Sequence, residues 1–243
     1  MSVVIDCHCH AVRGAGAQGQ LLKRYLRRAA AAGIERTVLF ANLEQDYAAA
    51  NEHVADLVRT SQGRLHGFAF VHAGRDRGRI RSMVERAVTV HGFCGIKVHR
   101  HDAPISAEVC EAAREFAVPI LYDIMGHVQE VDTLANSCPD VSFIVPHLGA
   151  FADDQSVQVA FISRLARYPN VYTDSSGVRF FDMLRRAVEH AGPQKLLFGS
   201  DGPWLHPGLE LEKIRMLNLP RSDEQLVLAR NWLTITARVR ATH

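Results

Sequence analysis

The chain alternates short apolar runs with longer amphipathic segments from one end to the other. Eight runs rich in β-branched and other apolar residues have the length of strands, and a segment with helical periodicity follows each of them. The predicted strands cover residues 3–7, 37–41, 65–71, 95–98, 120–123, 142–145, 171–173 and 196–198. This alternation is typical of a parallel sheet built from βα units, because each helix returns the chain to the same end of the sheet.

Helix-favouring segments fill the spaces between the strands. They cover residues 21–32, 47–61, 80–91, 107–116, 128–136, 157–167, 180–190, 210–216 and 223–237. Ser106 is a typical N-cap, and Gly33 is a typical stop after a helix. The Gly- and Ala-rich residues 14–19 predict a flexible loop that could act as a lid.

Eight strands and eight crossovers predict an α/β chain that folds as a single-domain TIM-type (β/α)8 barrel over residues 1–243. A chain of 243 residues has the usual length for such a domain. An open doubly wound sheet is the alternative. It would usually carry a Gly-rich phosphate loop after a strand, and the sequence shows none.

Composition excludes several classes of protein. The 28 basic and 26 acidic residues leave a formal net charge of +2, so we expect no nucleic-acid partner and no membrane surface. Five cysteines at irregular spacing do not form a disulfide framework, which fits a cytoplasmic protein. We expect no leader peptide and no membrane-spanning segment. The predicted partner is a small-molecule substrate, and a homo-oligomer stays open.

The first predicted strand ends in a D-x-H-x-H motif, Asp6-Cys7-His8-Cys9-His10. In an extended strand, alternate side chains share a face. We therefore expect Asp6, His8 and His10 on one face, and the two cysteines on the other as packed thiols. Two imidazoles at this spacing can bind one metal ion.

Polar residues end nearly all of the other strands as well. They are Asn42, His72, Lys97, His99, Asp123, His147, Asp174 and Asp201. In a barrel of this kind the active site forms at the carboxyl ends of the strands. Asn42 and His72 are more typical of hydrogen-bonded loop residues. His147 and Asp201 differ from them, because Gly and Pro frame both residues and turn the backbone sharply at the mouth.

His8, His10, His147 and Asp201 together form a donor set suited to divalent zinc, manganese or iron. A bound metal ion lowers the pKa of its water to about 7. Asp201 could contact the metal and accept the proton of that water, and His147 could polarise the bond under attack or carry protons. These two residues are the predicted catalytic groups.

Four motifs resemble those of the amidohydrolase superfamily, and within it the amidohydrolase-related group of metal-dependent hydrolases and nonoxidative decarboxylases. The motifs are Ile5-Asp6-Cys7-His8-Cys9-His10, Gly95-Ile96-Lys97-Val98-His99, Val145-Pro146-His147-Leu148-Gly149 and Gly199-Ser200-Asp201. The resemblance implies that His8, His10 and Asp201 are metal ligands, and that His147 is a ligand or a catalytic histidine.

The chain departs from this resemblance at the fifth strand. Relatives commonly place a metal-binding histidine there, whereas residues 119–122 lead to Asp123. A carboxylate could replace the imidazole as ligand, or His127 could reach the site. Some relatives also carry a carboxylated lysine that bridges two metal ions at the position of Lys97. Without the usual histidine we expect a single metal ion, most simply zinc, with Lys97 binding an anionic substrate or pairing with Asp123.

The leading functional prediction is a metal-dependent hydrolase acting on a small carbonyl or ester-like substrate. The alternatives are a metal-dependent decarboxylase and a degenerate barrel without catalytic activity. The predicted substrate-binding residues are Lys97, His99, Arg179 and Trp204. In a decarboxylase, the loop residues Arg13, Arg100 and Arg179 could hold the substrate carboxylate.

Overall fold

The structure is a computed structural model that describes residues 3–14, 18–151 and 154–237. Its strands are β1 (Ile5–Ala11), β2 (Arg36–Ala41), β3 (Leu65–Gly67), β4 (Ala69–Phe70), β5 (Ile96–His99), β6 (Ile120–Asp123), β7 (Phe143–Val145), β8 (Val171–Asp174) and β9 (Leu196–Leu197). All of the paired strands run parallel. Each predicted strand is therefore present within a few residues of its expected bounds.

The strands form a closed barrel. The ladder runs in the order β1-β2-β3 and then β4-β5-β6-β7-β8-β9. Phe68 separates β3 from β4, and its backbone N–H still donates to the carbonyl of Leu39 in β2. Cys7 N–H donates to the carbonyl of Phe198, and a bridge between Cys9 and Gly202 continues the contact between the first and last strands. The predicted TIM-type barrel is confirmed.

Helices cover the outside of the barrel. They are α1 (Leu21–Ala31), α2 (Tyr47–Thr60), α3 (Ile80–Thr89), α4 (Ala107–Phe116), α5 (Gln129–Ser137), α6 (Gln155–Arg167), α7 (Phe181–Ala191), α8 (Pro207–Met216), α9 (Arg221–Gln225) and α10 (Asn231–Thr236). Residues 226–230 form a π-helical turn that joins the last two helices. Among the described residues, every helix is too short or too polar to span a bilayer.

Apolar side chains of the strands and of the inner helix faces pack into one continuous core. The rings of Phe40, Phe68, Phe143 and Phe198 are fully buried within it. Burying a phenylalanine side chain contributes roughly 1.5–3 kcal/mol relative to leaving it in water. The helix signals agree with the structure, because Ser106 is the N-cap of α4 and Gly33, which follows α1, has a φ of 83°. Of the predicted loop 14–19, residues 15–17 lie outside the described residues.

Strand β1 departs from strict alternation. The register against β2 shifts between Asp6 and Cys9, which is a β-bulge. Asp6 accepts a hydrogen bond from the hydroxyl of Tyr25 in α1, and the Tyr25 hydroxyl also contacts Cys9. The expectation that Asp6 shares a face with His8 and His10 is therefore wrong. The bulge turns its side chain towards a covering helix and leaves the two imidazoles at the barrel mouth.

Candidate metal centre

A cavity of about 460 Å³ opens at the carboxyl ends of the strands. Its polar lining residues are His8, His10, Asn42, Lys97, His99, Asp123, His147, Asp154 and Asp201. Its larger apolar lining residues are Leu43, Met125, Phe151, Val157 and Trp204. Of the strand-end residues that the sequence singles out, all except His72 and Asp174 therefore meet in the lining of one cavity, as the barrel fold predicts.

Three histidines present the same ring nitrogen to this cavity. His8 donates from Nδ1 to Oδ2 of Asp174 at 2.7 Å, and His10 donates from Nδ1 to the carbonyl of Ala41 at 3.2 Å. His147 donates from Nδ1 to the carbonyl of Ser176 at 2.7 Å. Each imidazole therefore carries a proton on Nδ1, and in the neutral form of the ring Nε2 is a lone pair. Hydrogen bonds of this kind orient metal-binding histidines in other proteins.

The free nitrogens converge on the carboxylate of Asp201. Oδ1 of Asp201 lies 3.4 Å from Nε2 of His8 and 3.4 Å from Nε2 of His10. His8, His147 and Asp201 each offer a ligand atom, and these atoms lie within 4.8 Å of one another. Nε2 of His8 is buried without a hydrogen-bond partner. Lone pairs that face one another without a proton between them fit a cation, so the residues present fit a divalent metal ion.

The ionisation of these groups also suits a metal ion. Burial lowers the pKa of His8 to about 4, so its imidazole is neutral at pH 7. Burial also works to raise the pKa of Asp201, but contacts with His10 and His8 outweigh it and lower the pKa to about 2. Metal ligands must be deprotonated, and both groups are in that form near neutral pH.

A tight turn after β9 aims Asp201 into the cavity. Asp201 has a φ of 56°, in the left-handed region that few residues other than glycine adopt. Oδ1 of Asp6 accepts from the backbone N–H of Ser200 at 2.9 Å, which ties the turn to β1. A Cβ atom on Gly202 would overlap the buried ring of Tyr25. The turn therefore favours glycine at this position, and Asp6 supplies the acceptor that holds the backbone of Ser200.

The turn after β7 places His147 in a similar way. His147 and Leu148 both have left-handed backbone conformations, with φ of 60° and 54°. Such conformations cost roughly 1–2 kcal/mol per residue. The amide of Gln158 in α6 donates to the carbonyls of His147 and Ala150, and Leu148 is fully buried. These contacts hold the sharp turn that the sequence predicts from the Pro and Gly on either side of His147.

Asp174 connects two of these histidines, and the sequence assigns it no role. Oδ2 accepts from His8, and Oδ1 accepts from Ser176 Oγ at 2.5 Å and from the backbone N–H of His147 at 3.3 Å. Burial alone would raise its pKa, but contacts with His8 and His147 hold the pKa well below the usual range. The position of Asp174 at the end of β8 is the only sequence signal for this role.

Lys97 lies at the floor of the cavity. Its side chain is fully buried, and Nζ has no hydrogen-bond partner among the described residues. Nζ lies 5.0 Å from the centre of the Phe40 ring. Burial lowers the pKa of Lys97, although Asp123, Asp174 and Asp201 oppose this effect. A buried ammonium or amine without a partner is costly, so the position suits a group that meets a ligand.

Asp123 and His99 form a pair beside the histidine cluster. Nδ1 of His99 accepts from the backbone N–H of His101 at 3.1 Å, so its proton lies on Nε2, 3.3 Å from Oδ2 of Asp123. The same carboxylate oxygen lies 3.7 Å from Nε2 of His147. Burial and Lys97 lower the pKa of His99 to about 4. Burial works to raise the pKa of Asp123, but His147, His99 and Lys97 hold it below its usual value.

Trp204 lines the cavity as predicted, but the structure does not bring Arg179 there, because Arg179 is exposed and outside the lining. Arg100 pairs with Glu130 at 2.7 Å. His127, which could have replaced the missing histidine, is exposed and also outside the lining. The sequence favours a structural role in a loop for Asn42, whereas the structure places it in the cavity lining.

His72 has the structural role that the sequence favours, whereas Arg13, a candidate for holding a substrate carboxylate, does not reach the cavity. His72 accepts from the backbone N–H groups of Gly74 and Arg75, as a loop residue does. Arg13 lies 4.0 Å from Glu44 and outside the cavity lining.

A larger cleft of about 610 Å³ lies at the opposite end of the barrel, beside Pro119 and Ser142. No histidine or lysine is among the described residues that line it, so it is not the candidate centre.

The model of the amidohydrolase family matches residues 5–231, which include every strand of the barrel and the whole cluster. The chain belongs to the amidohydrolase family. The resemblance inferred from the four motifs is thus confirmed. No curated protein sequence matches this amidohydrolase.

Several solved structures share the fold of this amidohydrolase. It is similar to 5-carboxyvanillate decarboxylase from Sphingomonas paucimobilis, with 14% identity, coverage of 98% and 100% of the two chains, and a TM-score of 0.77. It is similar to 2,6-dihydroxybenzoate decarboxylase from Rhizobium, with 16% identity, coverage of 98% and 99%, and a TM-score of 0.75. It is also similar to dihydroxybenzoic acid decarboxylase from Polaromonas sp. JS666, which was solved with manganese and the inhibitor 2-nitroresorcinol. The identity is 18%, the coverage is 99% and 98% of the two chains, and the TM-score is 0.77.

Proposed function

We propose that this amidohydrolase is a metal-dependent nonoxidative decarboxylase of a small aromatic or unsaturated carboxylic acid. One observation carries the proposal. The same cavity is lined by a set of donors for a divalent metal ion, by Nζ of Lys97, which has no hydrogen-bond partner, and by apolar side chains. This combination suits a flat apolar body that carries an anionic group. The three similar solved structures are of decarboxylases, which supports this function over the hydrolase that is the leading prediction from the sequence.

The proposed metal ligands are His8, His10, His147 and Asp201. Their atoms converge, and the Nδ1–H groups of the three histidines are held by neighbouring acceptors. A divalent ion bound there supplies positive charge that attracts a carboxylate and stabilises electron density during reaction. Zinc and manganese both accept this nitrogen and oxygen set. The manganese in the Polaromonas enzyme favours manganese here, and the donor set supports a single ion.

Lys97 is proposed to bind the anionic part of the substrate. It is the one lysine or arginine among the described residues that line the cavity. Leu43, Met125, Phe151 and Trp204 form the outer wall, and each is between 41% and 53% exposed. Exposed apolar side chains gathered at a cavity mouth are typical of a ligand site. A planar ring can therefore pack between these side chains while its charged end meets Lys97.

Decarboxylation breaks the bond between the carboxylate carbon and the carbon that bears it. The bonding electron pair stays on that second carbon, which then takes up one proton, and carbon dioxide leaves. His99 holds a proton on Nε2 beside Asp123, at the cavity lining. We propose that this pair delivers the proton. The sequence prediction of Asp123 as a ligand stays a prediction, and its position beside His99 favours a role in proton transfer.

Carbon dioxide release from labelled acids tests the proposal. The manganese-loaded protein is incubated with carboxyl-labelled 2,6-dihydroxybenzoate, 2-hydroxybenzoate and cinnamate, and labelled carbon dioxide is measured. Asp201→Asn should lower turnover sharply, because a neutral amide replaces a charged carboxylate that is proposed to hold the divalent ion. The matched control is Asp182→Asn, since Asp182 is exposed on α7. Equal turnover in Asp201→Asn and wild type would contradict the assignment.

A further inference from the structure

One peptide group connects His147 to helix α8. The carbonyl of Ser176 accepts from Nδ1 of His147 at 2.7 Å. The N–H of the same peptide group, which belongs to Gly177, donates to Oε2 of Glu210 at 3.1 Å. A buried carboxylate therefore lies at one end of this peptide group and the imidazole at the other.

Glu210 is built into this position. It is buried on the inner face of α8, and burial raises its pKa. Nζ of Lys213 lies 2.6 Å from Oε2 of Glu210 and donates to the carbonyl of Val178 at 3.0 Å. The Glu210–Lys213 pair thus holds a backbone N–H and a backbone carbonyl of residues 177–178.

Gly177 makes such an anchor necessary. Its φ is 63°, in the left-handed region that favours glycine, and a Cβ atom there would lie 2.6 Å from the ring of Phe151. Glycine adopts both signs of φ readily, so the peptide group before it has little intrinsic preference for one orientation. Contacts at both ends of the group must therefore select the orientation in which the carbonyl faces His147.

We propose that Glu210 is a positioning residue that fixes the ring orientation and the Nδ1–H tautomer of His147 through the Ser176–Gly177 peptide group. The inference rests on the proposed function in one respect, namely that Nε2 of His147 is the atom that serves the reaction. Its physical basis is the cooperativity of hydrogen bonds. A carboxylate that accepts from a peptide N–H polarises the peptide, which makes the carbonyl at its other end a stronger acceptor.

Ser176 Oγ does not replace this anchor. The hydroxyl donates to Oδ1 of Asp174 at 2.5 Å, so Oγ can only accept from Nδ1 of His147, 2.9 Å away. This contact also favours the Nδ1–H tautomer. It does not hold the peptide plane, because the side chain can rotate about χ1 independently of the carbonyl. Glu210 is thus the group that fixes the carbonyl itself.

Nuclear magnetic resonance of the His147 ring tests the proposal on the full-length chain. The ring nitrogens and the Nδ1 proton are assigned with a His147→Gln variant and compared among wild type, Glu210→Ala and Glu210→Gln. The control is Glu212→Gln, because Glu212 lies on the same helix and also faces a basic residue three positions later, Arg215 at 3.5 Å, but is exposed. Metal affinity is measured on the same proteins.

In Glu210→Ala we expect signals of both tautomers and a loss of metal affinity of about tenfold or more, the usual effect of removing an outer partner of a ligand. Glu210→Gln keeps an acceptor for Gly177 N–H, so it should restore the single Nδ1–H tautomer and most of the affinity. Its Nδ1 proton should move upfield, because a neutral amide polarises the peptide less. Glu212→Gln should match wild type.

A single Nδ1–H tautomer in Glu210→Ala would overturn the proposal. If that variant does not fold, an Nδ1 proton shift in Glu210→Gln equal to that of wild type would overturn it instead. The tautomer is measured without substrate, so its outcome is independent of the proposed reaction. If the tautomer changes as expected but the wild-type protein releases no carbon dioxide, the decarboxylase proposal is contradicted and the positioning role of Glu210 stands.

Discussion

Nδ1 of His8 lies 2.7 Å from Oδ2 of Asp174, and both side chains are completely buried. The second oxygen of Asp174 accepts from Ser176 and from the backbone of His147. One carboxylate at the end of β8 therefore orients two of the proposed ligands. It gives the centre a fixed geometry before any ion binds.

Asp174→Asn should weaken metal binding about 10- to 100-fold, the usual cost of losing an outer partner of a ligand. The oxygen of an asparagine side chain can accept the hydrogen bond from His8. Its NH2 group then faces the donors of Ser176 and His147, so those two hydrogen bonds are lost. Titration of the metal-free protein with manganese measures the change. Asp182→Asn, on the exposed surface of α7, is the matched control. An unchanged dissociation constant in Asp174→Asn would show that the carboxylate does not orient the site.

Most of the barrel could be predicted because its elements depend on local patterns. The runs at 120–123 and 171–173 are strands within one residue of the expected bounds, since each is apolar, short and bounded by breakers. The bulge in β1 could not be predicted in this way. It depends on contacts of Asp6 with Tyr25 and Ser200, and Ser200 lies 194 positions away in the sequence.

The residues of the site also differ in whether local sequence patterns or distant contacts determine their roles. His147 and Asp201 could be predicted because Pro and Gly beside them mark turns at strand ends. Asp174 and Glu210 could not be predicted, since their roles come from partners such as His8, 166 positions away, and Gly177, 33 positions away. An aspartate at a strand end and a glutamate on a helix are common in proteins without such roles.

A double variant of the first strand tests whether the histidine cluster binds a metal ion, as an enzyme requires, or belongs to a degenerate barrel without catalytic activity. We expect one divalent ion per chain in protein purified without chelator, and none in a His8→Ala/His10→Ala variant, because two of the four proposed ligands are then missing. Elemental analysis measures the content. His101→Ala is the control, since His101 is exposed. A metal-free wild type would contradict both catalytic readings.

Lys97→Met should stabilise the metal-free fold while it weakens substrate binding. Methionine fills a similar volume and removes a buried polar group that lacks a partner. We expect the free energy of unfolding to rise by about 1–3 kcal/mol, the usual penalty of an unsatisfied buried polar group, and KM to rise. Urea denaturation and initial rates measure the two effects. Lys23→Met, at an exposed position on α1, should change stability by less than about 0.5 kcal/mol. A destabilised Lys97→Met protein would show that Nζ has a structural partner.

A surface ion pair gives a pH-dependent prediction. Arg86 at 2.6 Å and His91 at 3.0 Å lower the pKa of Glu52 from 4.5 to about 2. A carboxylate with a lowered folded-state pKa stabilises the fold above pH 4.5, and this stabilisation is lost as the pH falls from 4.5 towards 2. Glu52→Gln should therefore reduce stability at pH 7, by less than about 1 kcal/mol because the pair is exposed.

Urea denaturation at pH 7 and at pH 3 measures this difference between Glu52→Gln and wild type. The difference should shrink at the lower pH. Glu35→Gln is the control, since Glu35 is exposed and forms no ion pair among the described residues. A difference that is equal at the two pH values would contradict the ion-pair explanation.

The source of the atoms in the product tests the proposed decarboxylation most directly. The manganese-loaded protein is incubated in deuterium oxide and, separately, in water labelled with oxygen-18, with the acid it turns over fastest. The account predicts one deuterium on the carbon that carried the carboxylate and no labelled oxygen in the organic product, because the carbon–carbon bond is replaced by a bond to a solvent-derived proton. Labelled oxygen in an organic acid or alcohol product, without deuterium on carbon, would identify a hydrolase and contradict the account.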